Sequence, residues 1–301
     1  NWTPSANNVT LNEGEVYILD NDTQNDSNIG TKISATQNIV VVSGSWAGVI
    51  EETGDNGGRD IGVTQLLPND KLGTDFLVHE GYSSSFIGTH AIVVALENST
   101  VIKINDASVT TINAGSYFAY NLKGKGNNLI HINTSKPALV YYQGYPSSSS
   151  NAKNNQGLFL VAPLLDEANP PVGASTAHFG DKVWDLDGNN SGVMAYYVMT
   201  SDPAGTSITR NGFTIAISSW GATSFSSTVN GVSYTMYEKN EQNAPNSDNP
   251  FYVSNSNGKP IYTYIGYSFN DRGYFVSNQA YASSSSCPTD GDSPLDNITA
   301  N

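Results

Sequence analysis

The chain has 301 residues, with 13 Lys and Arg against 27 Asp and Glu, a formal net charge of −14 and a pI near 4.4. A nucleic-acid partner needs a basic stripe to displace counterions from phosphate. None exists here, and the same negative field repels an anionic membrane surface. Charged residues make up only 13%, about half the usual share of roughly 25%. Polarity comes instead from Asn, Ser, Thr and Gly, the strand-and-turn mixture of extracellular β-proteins.

No stretch sustains the apolar i, i+3, i+4, i+7 pattern of a helix. Short β-rich runs bounded by turn residues recur instead. In chain order they are Glu15–Leu19, Asn38–Val42, Ala91–Leu96, Val101–Ile104, Ser116–Leu122, Leu129–Ile132 and Ala138–Tyr142. Gly157–Val161, Val193–Met199 and Ile261–Ile265 follow. After Tyr281 the runs stop, so residues 1–281 read as one repeated all-β binding module. Residues 282–301 read as a linker or the start of a following module. The only cysteine, Cys287, is either incidental or the partner of one beyond the fragment. No signal peptide or membrane-length apolar run is present. The chain therefore reads as part of a longer, multidomain, secreted protein associated with a cell surface, without direct membrane insertion.

Laid over one another, the runs repeat. GTKISATQNIVVVSGSW, NNLIHINTSKPALVYYQGY and PFYVSNSNGKPIYTYIGY each give a strand, a polar turn, a second strand and a small residue or Gly. Upstream, VTLNEGEVYIL, VTTINAGSYFAYNL and TVNGVSYTMY each give a strand, an x-Gly turn and an aromatic strand. HAIVVALENSTVIKINDAS matches MAYYVMTSDPAGTSITRNG as a hairpin with a polar loop. DIGVTQLLP, QGLFLVAPL and RGYFVSNQA close the three copies. One supersecondary unit is used three times, and the first copy lacks its opening hairpin. The expected fold is all-β, three antiparallel-sheet repeats. Runs such as NIVVV and AIVVAL look buried on both faces, which favours a propeller-like ring over β-sandwiches.

The segments GTKISATQNIVVVSGSW, RDIGVTQLLPNDKLGTDFLV and HAIVVALENSTVIKINDASVTTINAGSYFAYNL resemble the N-terminal domain of IgG-Fc-binding proteins. The resemblance runs over residues 9–170 and more weakly to about residue 281. It implies a large modular extracellular protein, and the Asn-rich, disulfide-free style is similar to a bacterial, Bacteroidetes-like surface-adhesin branch. Animal members carry paired cysteines around the loop that here reads AGVIEETGDNGGRD. This chain has none, so Fc binding is not carried over.

Catalytic signals are weak, and the chain reads as a non-enzyme. The G-x-S-x-G elbow is absent at Gly81–Ser83, and His79-Glu80 lacks the second His of a zinc-protease motif. His131 alternates within a strand run. Calcium has two candidate sites: Asp185, Asp187 and Asn189 around Gly188, and Asp20, Asp22 and Asp26. Both offer hard oxygen ligands near a turn, and both also fit plain turn chemistry. The acidic loop after Trp46, with Glu51, Glu52, Asp55 and Asp60, is the largest ligand-side candidate. Trp46, Tyr145 and Tyr267 follow the ends of the repeated second strands. They form either one aromatic recognition face or caps on the core between repeats.

Taken together, these residues point to an extracellular adhesion or ligand-binding module that recognises glycan or protein through loops. The alternative is a structural spacer or assembly unit of a surface fibre or secreted cargo.

Overall fold

The computed structural model describes residues 8–19, 31–48, 60–79, 90–122, 129–144, 157–168, 170, 174–179, 193–242, 251–269 and 272–278. Every regular element among them is a strand or a three-residue 3-10 turn, and every strand pairing is antiparallel.

Two complete units share one topology. The first contains β3 (Gly73–His79), β4 (His90–Ala95), β5 (Thr100–Ile104), β6 (Ala107–Ile112), β7 (Tyr117–Asn121), β8 (Leu129–Gly144) and β9 (Gly157–Val161). The N-terminal half of β8 is flanked by β3 and β5, and its C-terminal half by β4 and β9. The second contains β10 (Thr176–Phe179), β11 (Val193–Thr200), β12 (Thr206–Arg210), β13 (Phe213–Ala216), β14 (Thr223–Val229), β15 (Val232–Gln242), β16 (Phe251–Asn255), β17 (Ile261–Phe269) and β18 (Arg272–Asn278). Here β16 is flanked by β10 and β12, and β17 by β11 and β18.

Strand by strand, β8 is answered by β16 and β17 together. Ser135-Lys136-Pro137 carries β8 through without a break, whereas Asn257-Gly258 turns the chain between β16 and β17. Proline removes only one ladder donor, but Gly258 at φ +73° bends the backbone outright. The hairpins β5–β6 and β12–β13 turn on Asn105-Asp106 and Asn211-Gly212, with positive φ at both central residues. That is the type I′ turn whose twist matches flanking strands.

Of the first copy, among the described residues only β1 (Val42–Gly48) and β2 (Asp60–Gln65) pair, in the manner of β8 with β9 and β17 with β18. The runs Glu15–Leu19 and Asn38–Val41 are not strands but exposed, irregular chain. Their composition fits a strand, but among the described residues neither joins a ladder, and the backbone bond across the chain runs from Leu66 N to Val41 O at 2.9 Å.

A second correction concerns the supposed hairpin HAIVVALENSTVIKINDAS. β4 and β5 do not pair with each other; both pair with β8, one on each half. The same holds for β11 and β12 against β17 and β16.

The sheets stack in layers. One face of the seven-stranded sheet β6-β5-β8-β4-β7, with β3 and β9, meets the five-stranded sheet β14-β15-β11-β17-β18 in the largest core. Phe76, Leu77, Val93, Ile132, Val140 and Tyr142 pack there with Tyr197, Met199, Met236, Tyr262 and Tyr264. The other face of the five-stranded sheet is covered by β10-β16-β12-β13. Tyr196, Val198 and Tyr237 pack there with Ala177, Ile208 and Val253.

β11 is thus buried on both faces, its odd residues in one core and its even residues in the other. β4 behaves likewise, with Ile92 and Val94 packing against Leu66 and Leu67 beyond β2. A ring of propeller blades is not seen among the described residues. The both-face burial that suggested one is met by inner layers of a stack.

Candidate functional site

The strand ends that the sequence singled out are topologically equivalent. Ser45 lies opposite Gly62, Gly144 opposite Gly157, and Ser268 opposite Gly273. Trp46 and Tyr145 each come one residue later. By that register the third position is Phe269, while Tyr267 lies two residues earlier, opposite Tyr274. Counting from the Gly of each Gly-Tyr or Ser-Trp pair hid this, because the return strand fixes the register.

At Trp46 the β1–β2 ladder is irregular, with a shift between Ser45 and Gly48. Such a bulge re-aims side chains at a sheet edge. For Trp46, Asp60 and Tyr267 the backbone alone is described. Glu51, Glu52, Asp55 and Tyr145 lie outside the described residues, as do Asp20, Asp22, Asp26, Asp185, Asp187 and Asn189. Among the described residues no group of three His, Cys, Asp or Glu could hold a metal ion.

Two polar clusters and one small, mainly apolar cavity escaped the sequence reading. In the first, His131 Nε2 lies 2.9 Å from Asp75 Oδ1, to which Asn133 Nδ2 also donates at 3.0 Å. Thr74 Oγ1 donates to the other carboxylate oxygen at 2.8 Å. Burial raises the Asp75 pKa, and these hydrogen bonds outweigh it, holding the carboxyl below its ordinary value. The second ring nitrogen of His131 faces Asp106 at 3.8 Å. An imidazole held between two carboxylates, with the nearby hydroxyl bonded to Asp75 instead, is arranged to fix β3 on β8 and not to activate a nucleophile.

The second cluster binds the turn after β16 to the turn before β12. Asn255 Nδ2 donates to Thr206 Oγ1 at 2.9 Å and to Asp202 Oδ2 at 3.2 Å, and Asn257 Nδ2 donates to Asp202 Oδ2 at 2.8 Å. Gly205 N donates to Asp202 Oδ1 at 3.1 Å. A Cβ on Gly205 would run into the Asp202 carboxylate.

The third lies between the two large sheets, where Leu77, His79, Tyr142, Tyr197, Met236 and Tyr264 line a cavity of about 30 Å³. That holds a single water and no ligand of drug or sugar size. No sequence spacing reveals these clusters, because Asp75 and His131 are far apart in the chain and meet only through the β3–β8 register.

Comparison with known families decides the lineage, since the family model described as IgGFc binding protein matches residues 3–256. The chain belongs to the IgGFc binding protein family. Membership suggests an extracellular binding module directed at proteins. No curated protein matches the chain. The family match ends just after β16, whereas the repeat continues through β17 and β18. No helix among the described residues is long and apolar enough to cross a membrane.

Proposed function

We propose that the chain is an adhesive ligand-binding module of a bacterial cell-surface protein, recognising protein or glycan through loops that join equivalent hairpins. The observation that carries this is the contrast between constant strands and variable loops. The hairpins β1–β2, β8–β9 and β17–β18 share register, yet residues 49–59, 145–156 and 270–271 join them. Loops on a rigid scaffold that differ this much in length are where recognition resides, and two of these are bordered by Trp46 and Tyr145.

The experiment replaces residues 49–59 and 145–156 separately with Asn-Gly turns and screens each variant on glycan arrays and host-cell surfaces. Loss of binding with unchanged melting supports the reading. Wild-type binding by both variants would overturn it. A spacer role has its own support in the continuous core between the two complete units, and it expects no surface ligand for any variant.

Calcium at Asp185, Asp187 and Asn189, or at Asp20, Asp22 and Asp26, is carried as part of this proposal, on the strength of oxygen ligands at alternating positions. Calcium added to metal-stripped protein should raise the melting temperature, and Asp187→Ala should abolish the gain from the first site. No response in stripped protein rules calcium out.

A further inference from the structure

Asn-Gly pairs occur three times among the described residues, at Asn211-Gly212, Asn230-Gly231 and Asn257-Gly258, each between two strands. Such a pair carries a reaction of its own. The glycine nitrogen has no Cβ beside it to hinder approach, and it can attack the side-chain carbonyl carbon of the asparagine before it. Whether it does so in a folded chain depends on how each turn is held.

The turn at Asn257 is tied down. Asn257 Nδ2 donates to Asp202 Oδ2 at 2.8 Å and Asn257 N to Asn255 Oδ1 at 2.9 Å, while Gly258 N donates to Asn255 O at 3.3 Å. Both the attacking nitrogen and the side chain to be attacked are engaged.

Asn211 and Asn230 are exposed and open type I′ turns, with φ +54° and +51°, followed by Gly212 at +76° and Gly231 at +81°. Ring closure requires the Asn backbone to leave that left-handed well, so the end of the hairpin must open first. The two ends differ in what opening uncovers. Val229 and Val232, paired across the Asn230 turn, pack in and against the largest core, and Val229 is 3% exposed. Beyond the Asn211 turn lies β13, an edge strand paired only with β12 and exposed at all four residues. Phe213, its first residue, is 78% exposed. Parting Phe213 from Arg210 uncovers no residue of either large core.

We infer that Asn211 is a site of spontaneous deamidation, ahead of Asn230 and Asn257. The Gly212 nitrogen gives its proton to solvent and bonds Asn211 Cγ, and the side-chain nitrogen leaves as ammonia. Water then opens the resulting succinimide at one of its two carbonyls, giving aspartate or isoaspartate and one added negative charge. Aspartate before glycine still fits the type I′ turn. Isoaspartate adds a carbon to the main chain between β12 and β13, which a two-residue turn cannot hold in register. The modification therefore loosens β13 and leaves the two cores in place.

The test incubates the whole chain in mildly alkaline buffer, folded and in denaturant, and follows the three pairs by peptide mapping with mass spectrometry and isoaspartate detection. In the folded chain Asn211 should convert about tenfold or more faster than Asn230 and Asn257, because its turn opens locally. In denaturant the three rates should converge. Amide exchange at Phe213–Ile215 should rise with isoaspartate content, while exchange at Val229 and Val232 stays as it was. Conversion of Asn230 or Asn257 as fast as Asn211 in the folded chain overturns the inference, as does a folded Asn211 that stays intact. The same ranking in denaturant would also overturn it, by tracing the preference to sequence and not to the exposed edge strand.

Discussion

His79, at the end of β3, stacks on Phe225 with ring centroids 4.3 Å apart, and burial pushes its pKa down to about 4. In the folded state it stays neutral, while in the unfolded chain it binds a proton near its ordinary value of 6.5. The unfolded state thus holds more protons between pH 6.5 and 4, and stability falls as pH drops through that window. At about 1.4 kcal/mol per unit, the loss is about 3 kcal/mol. Denaturant melts of wild type and His79→Phe across this range check it: the variant should have a flatter slope, and an unchanged slope would remove His79 from the account. Asn255 is only 6% exposed and bonds both Thr206 and Asp202. Asn255→Ala leaves buried polar atoms without their donor, at a cost of about 2 kcal/mol. A loss within a few tenths of wild type would show that water replaces the amide.

At the scale of elements, Gly73 shows how closely β3 and the exit from β9 are packed. A Cβ there would overlap the Cβ of Pro163, while Leu164 N donates to Asp75 O at 2.8 Å just beyond. The strand must move, because the obstacle is a rigid proline ring attached to backbone. Gly73→Ala should therefore destabilise by about 1–3 kcal/mol, with amide exchange at Leu164 rising first. A neutral substitution would mean that the Pro163 segment gives way freely. The strands of the complete units were legible because their apolar runs are bounded by turns, and β4 showed both-face burial in composition alone, whereas NIVVV, read the same way, is exposed at Ile39, Val40 and Val42. The crossing of β4 and β5 onto opposite halves of β8 was not legible. Two strands joined by the polar loop of Glu97–Ser99 look the same whether they pair with each other or with a third strand. The same blindness made Glu15–Leu19 and Asn38–Val41 look like paired strands, since propensity reports the fit to a sheet and not the presence of a neighbour.

Across the whole molecule, repetition was visible in the sequence, but its stacking was not. Repeats imply only that each unit cannot bury its apolar face alone; whether they form a ring or a stack depends on which faces meet. Here Tyr197, Met199, Tyr262 and Tyr264 of the second unit lie in one core with Phe76, Leu77 and Val140 of the first. Tyr262 also spans the junction, its hydroxyl accepting the Leu165 N–H at 2.7 Å. Residues 73–161 and 174–278 are therefore one folding unit, although each carries a full set of strands. Calorimetry should show a single transition for them, with calorimetric and van't Hoff enthalpies in agreement. Met199→Ala, deep in the shared core, should cost about 2–5 kcal/mol and lower that one transition as a whole. Residues 174–278 expressed alone would expose four tyrosines and two methionines of that face to water, and should fail to fold cooperatively. Two separate transitions in the intact chain, with Met199→Ala moving only one, would mean that the shared face is a contact between independent domains.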